Sequence, residues 1–501
     1  VVERETAPYL SLYSVDRAYR ACRKRKRRTV RACLYEQRLL DHLVDTQDAL
    51  KNAYWQPQPP VVFTVTKPKA REVYAACYED RVVHHWLIPQ LEAVIDQDFI
   101  HDAASNRKDR GTHFAVNRAQ TFMRRIQGKG FVLQLDVASF FNSIHHDTLL
   151  ERLSLKLQKA VKRKGMPLEQ ARQCYRMASR VIRQPCAAQA IRIGDARSFA
   201  CVPEHKRLEN APPGTGLPIG NLTSQFFANL YLDVLDQFVK HDLKCSYYVR
   251  YVDDFLLMHK ERSCLEDWHE RIIFFLEEKL RLRLRPGSAP KALSSGVDFL
   301  GYIIRPDYRL VRRRVKGNLF EKLRDYEKKL LIPRGRGVQL ELKPELRKSL
   351  RSVLVSYWGH FSHADAHGLK QAVFEKFPWL KNLFLDAFDL KPRWMPPTPL
   401  TMHSQWHWFK AMYPGCILIM QCGGSWLLNK PFLNAKPYAG PSPVKAWELP
   451  MKRGERLWKA LDSAGLPWLV CTEEGFLKKG IRKRVLRRIV YLTLSLPPGG
   501  G

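Results

Sequence analysis

No stretch of this chain approaches the roughly 18 consecutive apolar residues that a membrane-spanning helix needs. The first residues also lack the apolar core of a secretion signal. A membrane is therefore not among the expected partners. Cysteine is present without pattern: the 11 residues are scattered, with no Cys-x-x-Cys pair and no zinc-finger spacing. That excludes a disulfide framework and a structural zinc site from the reading, and the expected setting is reducing and cytoplasmic. Acid is scarce relative to base, with 49 Asp and Glu against 84 Lys and Arg and a formal net charge of +35. Such an excess repels itself unless a polyanion meets it, which puts nucleic acid first and an anionic surface second.

What is present belongs to a folded protein. A hydrophobic share of 45% and an aromatic share of 11% over 501 residues predict several domains rather than a disordered chain. Arg17 to Arg31 carries a run of base with no acid. Within it Arg23, Lys24, Arg25, Lys26, Arg27 and Arg28 are candidate phosphate contacts, since a merely solvated helix face is seldom so one-signed. Val61–Val65 reads as a strand after Pro57, Pro59 and Pro60, and a basic tip with Lys69 and Arg71 leads to a second strand at 72–76. Helices are expected over 80–94, 113–125 and 264–279, and a largely apolar one after Gln225. Asn106 to Thr112 reads as a basic loop containing Arg107 and Arg110, and 155–213 as helices plus a strand. Leu280–Leu284 alternates as a strand should, and Val297–Ile304 reads as another. Arg309 to about Leu385 is helical and basic, broken by Arg334-Gly-Arg-Gly337, and Pro392, Pro396, Pro397 and Pro399 mark a linker.

Two places carry chemistry. Tyr251-Val-Asp-Asp254 sets two carboxylates between runs of β-formers, so it reads as a hairpin with acids at its turn. Acids at a turn are ordinarily turn residues; paired acids on a rigid hairpin are also suited to hold divalent metal for phosphoryl transfer. Phe131-Val-Leu-Gln-Leu-Asp136 is a short apolar strand that ends in an acid, which has little reason for burial and good ligand geometry.

Together with Gly216-Leu-Pro-Ile-Gly-Asn-Leu-Thr-Ser-Gln225, Lys291 and Phe299-Leu-Gly-Tyr302, these stretches resemble the ordered blocks of a reverse transcriptase through most of residues 1–390. The resemblance implies an α/β (α+β) right-hand polymerase fold: a basic helical region 1–60, fingers 61–130, a palm 131–304 with an insertion at 155–213, and a helical thumb 305–390. A Pro-rich linker 391–398 and a small mixed α/β domain 399–501 would follow. It implies RNA-directed DNA polymerase activity with two Mg²⁺ ions, for which Mn²⁺ is the expected substitute. Asp136, Asp253 and Asp254, with the backbone of Val137, would hold the metals, and Lys291 would protonate pyrophosphate. Lys69, Arg71, Arg110, Phe141, Ile219, Gly220 and Gln225 would meet the incoming nucleotide, Phe141 crowding a 2′-hydroxyl. Phe299, Leu300, Gly301 and Tyr302 would grip the primer, and Arg107 would help hold the template. Template RNA, the RNA/DNA duplex and dNTPs are the implied partners.

Ile219-Gly-Asn-Leu-Thr-Ser-Gln225 has Ile and Gln where many reverse transcriptases have Gln and Pro. That form resembles the enzymes of diversity-generating retroelements, as do Asp80–Trp86, Asn106–Thr112 and Phe227–Leu232. The resemblance implies copying of a template-repeat RNA with errors at template adenines, a prokaryotic or phage origin, and a small basic accessory protein oligomer. A defence-type or retron-like enzyme, an RNA-binding scaffold without catalysis and a maturase-like role stay open. Residues 399–491 resemble the mismatch-recognition domain of MutS, carried by Gln405–Lys410, Pro414–Gly423, Leu461–Cys471 and Arg484–Val490. Ser425-Trp426-Leu427 stands where that family has its Phe-x-Glu reader, which leaves Trp426 as the one residue suited to stack on a base.

Overall fold

Ser11 starts the first long helix of the computed structural model: its hydroxyl accepts the backbone N–H of Ser14 at 3.2 Å, and Leu12–Arg23 follows. The structure describes residues 7–66, 69–334, 337–397, 401–440, 444–478 and 481–491. Lys67 and Pro68 of the expected fingers hairpin, Gly335 and Arg336, and Pro399 at the linker lie outside the described residues. The chain divides into two units, Val1–Leu300 with Ile304–Asp307, and Gly301–Ile303 with Tyr308–Gly501. None of the described helices is long and apolar enough to cross a membrane.

In the first unit, strands β1 (Val61–Val65) and β2 (Arg71–Ala75) pair antiparallel with Val62 opposite Tyr74. The β-branched and aromatic residues of both strands fit a pleated, half-buried surface. In chain order there follow β3 (Phe131–Asp136), β4 (Ile191–Arg192), β5 (Tyr247–Tyr251), β6 (Asp254–His259) and β7 (Lys291–Ala292). β4 extends the first pair in parallel, and the others form a four-stranded sheet in the order β5-β6-β3-β7. The helix Leu222–Gln237 is buried nearly all round, including the polar Asn229, Asp233 and Asp236. It packs in one core with Leu133, Leu135, Phe255 and Leu257 of the sheet. The stretch 280–284 is not a strand: Leu280 ends the helix Arg262–Leu280, Arg281 turns at φ 52°, and Leu284 makes a single bridge to Val137.

From β8 (Val297–Phe299) the chain continues through β9 (Tyr302–Ile304) and β10 (Arg309–Val311). The single strand expected over 297–304 is broken because Leu300 and Gly301 both adopt positive φ, 50° and 93°.

The second unit departs most from expectation. Between the helices Arg313–Leu330 and Pro344–Phe361 stands a hairpin, β11 (Leu331–Arg334) and β12 (Gly337–Glu341). The remaining strands are β13 (Ile417–Cys422), β14 (Ser425–Leu428), β15 (Lys436–Pro437), β16 (Trp447–Pro450), β17 (Trp468–Lys478) and β18 (Ile481–Tyr491). All eight form one sheet, β11-β12-β18-β17-β13-β14-β16-β15, and Leu340 lies opposite Ile489. One core runs from Leu319 and Leu354 through Trp394 to Leu469 and Ile489. Residues on both sides of the stretch 391–398, where a linker is expected, share this sheet and core. Trp426 belongs to a second core on the other side of the sheet, 7% exposed and 5.6 Å from the Trp458 ring, so it cannot stack on a base. A protein cut at Met395 should therefore be insoluble or bind a hydrophobic dye such as ANS, because β12 keeps β11 but loses β18 on its other edge, and the core it shares with the C-terminal strands is uncovered. A monomeric truncation with a cooperative melt would contradict this.

Candidate active site

Antiparallel pairing alone brings the acids together. The β3–β6 register sets Asp136 opposite Asp254, and β5–β6 sets Tyr251 opposite Asp254, so Val252 and Asp253 form the turn. Val252 takes φ 57°, a conformation costly for a β-branched residue and one that persists only when its surroundings over-determine it. Those surroundings are specific. Ser105 Oγ accepts the Val252 N–H at 3.0 Å, and Arg250 Nη1 donates to the Val252 carbonyl at 3.0 Å. Arg250 is wholly buried and paired to Asp236 at 2.5 Å, while Tyr248 donates to the same carboxylate at 2.7 Å. Asn229 Oδ1 accepts from both Ser105 Oγ at 3.0 Å and Arg250 Nη1 at 3.2 Å. The turn is clamped by a polar network that no short motif announces.

Asp136 and Asp253 are close enough for each to shift the other's protonation. Burial is the main cause of the raised pKa of Asp136, opposed by Arg285, whose Nη1 lies 2.8 Å from Asp136 Oδ2. Burial and then the Asp136 charge push Asp253 up to about 6. Burial pushes Asp254 up to about 7 against the hydrogen bond from Gln134 Nε2 at 3.1 Å, with Asp136 and Asp253 adding to the rise. Among the described residues no three His, Cys, Asp or Glu side chains are gathered so as to hold a metal ion. The reason is visible: Gln134 holds the Asp254 carboxylate, which leaves Asp136 and Asp253 facing each other. Two partly desolvated carboxylates fit hard cations whose remaining ligands are water and substrate phosphate. Magnesium addition at a pH between 6 and 7 should therefore release protons, because these carboxyls are neutral below their raised pKa and must ionise to bind. Calorimetry in buffers of different ionisation enthalpy measures that release, which should vanish by about pH 9. Equal release at both pH values would remove the acids from the metal's ligand set.

Around the acids lies a cavity of about 410 Å³ lined by Lys69, Arg71, Asp136, Phe141, Ile219, Asp253, Asp254 and Leu300 among others. Ser139, Asn142, Lys206 and Arg285 are among the lining residues that were not expected at the site. Arg285 is fixed through its backbone, its N–H donating to the Asp136 carbonyl at 2.9 Å. The Val137 N–H donates to the Asp253 carbonyl at 3.3 Å, and its side chain is fully buried. Lys206 comes from the region read only as helices and a strand, so nothing local marked it.

Ile219 reaches the cavity because its carbonyl accepts the Tyr74 N–H at 2.8 Å. Gly220 adopts φ +124°, and a Cβ there would lie 2.8 Å from Val73 Cγ1 and 2.9 Å from the Tyr74 carbonyl. Gly220→Ala should cost ~1–3 kcal/mol in a denaturant melt and detach the loop from β2. An unchanged midpoint would show that the loop needs no glycine.

Several residues expected at the site lie elsewhere. Gly220 and Gln225 do not line the cavity, and Gln225 is exposed on the helix Leu222–Gln237. Arg107 is an interior residue, 5% exposed, paired to Asp96 at 2.6 Å and donating to the Ile100 carbonyl at 2.7 Å, so it cannot hold a template. Arg110 donates to the His101 carbonyl and lies over the Phe114 ring, away from the cavity. Lys291 pairs beside Val132, four residues up β3 from Asp136, and is not among the lining residues. The side chains of Phe299 and Tyr302 are fully buried, which leaves the Leu300-Gly301 turn as the part able to meet a primer. In the basic run, Arg23 is paired to Glu36 at 2.6 Å, whereas Lys24, Arg25, Arg27 and Arg28 are exposed and Lys26 is half-buried.

A protein-family model described as reverse transcriptase (RNA-dependent DNA polymerase) matches residues 65–304. Protein YkfC of Escherichia coli (strain K12) is 23% identical over 330 residues, covering 57% of this chain and 75% of that protein. Among solved structures, telomerase from Candida albicans in complex with a TWJ fragment of telomeric RNA is 10% identical with a TM-score of 0.34, over 62% of this chain and 56% of that one. Apo telomerase from Candida tropicalis is 11% identical with a TM-score of 0.37, over 65% of this chain and 61% of that one. The chain thus spans less than two thirds of either telomerase.

Proposed function

We propose that residues 65–304, which match a reverse transcriptase family model, act as an RNA-directed DNA polymerase within a mixed α/β right-hand fold, and that the chain makes cDNA from a template-repeat RNA, with errors at template adenines. The observation that carries the polymerase chemistry is the Asp136–Asp253 pair at the floor of a cavity walled by Lys69, Arg71, Lys206 and Arg285. Bound Mg²⁺ ions, held by Asp136 and Asp253 and completed by substrate phosphates, would supply activation of the primer hydroxyl and neutralisation of the leaving pyrophosphate. The chain's own groups do the rest. The four cations attract and orient a triphosphate, whose charge also relieves their mutual repulsion. Phe141, its carbonyl fixed by the Leu217 N–H at 2.8 Å, lines the cavity where it would crowd a sugar's 2′-hydroxyl. The clamped Val252 turn holds Asp253 in place before substrate arrives, so no reorganisation is needed at the moment of reaction.

The error-prone reading rests on Ile219. An aliphatic side chain at the cavity wall offers the nucleotide no hydrogen bond, and a site that makes fewer polar contacts rejects wrong partners less strongly. The test is to sequence cDNA made by the purified chain on an adenine-containing RNA with its native partners. Substitutions concentrated opposite adenines support the reading, and uniform fidelity at all four bases overturns it. For residues 399–491, the buried Trp426 argues against mismatch reading, and the partly exposed Arg482, Arg487 and Arg488 of β18, although paired to Glu473 and Glu341, leave a nucleic-acid-docking role as the reading.

A further inference from the structure

A second cavity, of about 960 Å³, shares no residue with the catalytic one. It is a groove between the helices His146–Lys164 and Leu168–Ile182, closed at its ends by Gln56-Pro57 and by Gln184, Pro185 and Gln189. Its floor is aliphatic, made by Leu157, Val161, Leu168 and Ala171, with Tyr175 the only ring. Leu168 is 54% exposed, an uncommon fate for a leucine beside other apolar groups. Its rim is of one sign: Lys162, Arg172, Arg176, Arg180 and Arg183 line it, and no carboxylate does.

Arg172, Arg176 and Arg180 stand four residues apart on one helix, so they form a stripe of like charge that weakens the helix carrying it. Nearby acids answer it only in part. Glu169 is 3.8 Å from Arg172, and Asp147 is 2.8 Å from Arg183, yet both arginines stay over 60% exposed. Arg180 donates to the Trp55 carbonyl and Arg176 to Gln173 Oε1, contacts that aim them without neutralising them. A ligand for this groove must present an aliphatic ridge flanked by negative charge. Single-stranded nucleic acid would answer the rim but not the floor, because it draws its apolar contribution from stacking on rings.

We propose that this groove docks an acidic amphipathic helix of a partner protein, its aliphatic residues on the floor and its carboxylates on the arginine stripe. The helix Leu168–Ile182 is about 22 Å long, room for roughly four turns of a partner. A uniformly basic accessory protein has the wrong charge for this surface, so the site asks for a different partner or for an acidic segment of that one.

The experiment uses the full chain and a fluorescein-labelled helical peptide with leucines spaced three and four apart and glutamates flanking them. The controls are the same peptide with lysine for glutamate and a labelled oligouridylate. Fluorescence anisotropy should show saturable binding of the acidic peptide alone, weakened about tenfold or more by Leu168→Glu and by Arg172→Glu/Arg176→Glu. Primer extension on an RNA template should be unchanged in both variants, since neither site touches the catalytic cavity. Three outcomes overturn the proposal: no saturation by about 100 µM, equal binding of the lysine peptide, or undiminished binding in both variants. Tighter binding of oligouridylate, lost in the same variants, would also overturn it by making the groove a nucleic-acid track.

Discussion

Replacing Asp253 with Asn should leave a protein that still binds an RNA–DNA hybrid but extends a primer about a thousandfold more slowly, or worse. The amide keeps the shape of the turn, so the Val252 clamp, made by Ser105 and Arg250, has no reason to open. What disappears is the negative charge facing Asp136, half of the pair on which any bound cation would rest. Stability should move the other way. Asp253 is desolvated and lies beside Asp136, and both effects hold its pKa up at about 6. At neutral pH its ionised form therefore costs the metal-free protein free energy that Asn does not. A single-turnover extension assay beside a thermal melt would separate the two effects. A rate within tenfold of the parent, at full hybrid binding, would remove Asp253 from the chemistry.

Asp236→Ala should lower stability by ~3–5 kcal/mol although the residue never meets substrate. Removing one partner of the wholly buried pair leaves the Arg250 guanidinium unpaired in the core. It also frees the Tyr248 hydroxyl, which donates to Asp236 at 2.7 Å. Arg250 is the group that fixes the Val252 carbonyl, so the loss should reach the catalytic turn as a lower extension rate in whatever fraction stays folded. Asp236→Asn tests the charge by itself: it preserves shape and some hydrogen bonding but not neutralisation, and should fall between the two proteins. Chemical denaturation with a constant m-value would show that the native state alone has changed. A loss below about 1 kcal/mol would mean that water or another group reaches Arg250.

The Asp253–Asp254 hairpin was legible because its cause is local. Alternating β-formers around Val252-Asp253 dictate two strands and a turn, and Asp136 stands out as an acid at the end of an apolar strand. What escaped depends on tertiary neighbours. Arg107 and Arg285 look alike in sequence, yet one is locked to Asp96 in the interior and the other lies on Asp136 at the cavity. Only the fold decides which arginine meets solvent. Asp236 and Asn229 sat inside a helix read as apolar, and nothing in that pattern says that Arg250 will arrive beside them. The strand expected at 280–284 failed because alternation alone cannot tell a strand from a helix end followed by coil. The hairpin at 331–341 failed differently, since it finds its partner only in β18.

That partnership has a consequence for how the chain comes off the ribosome. Glu341 and Arg488 meet across 147 residues, and β17 and β18 emerge last among the described strands. Until they do, β12 waits with an unpaired edge, while the first unit is already free to fold. The second unit is thus a late-closing structure whose nascent intermediate invites aggregation or chaperone capture. Slowed translation beyond Arg334 should lengthen that exposure.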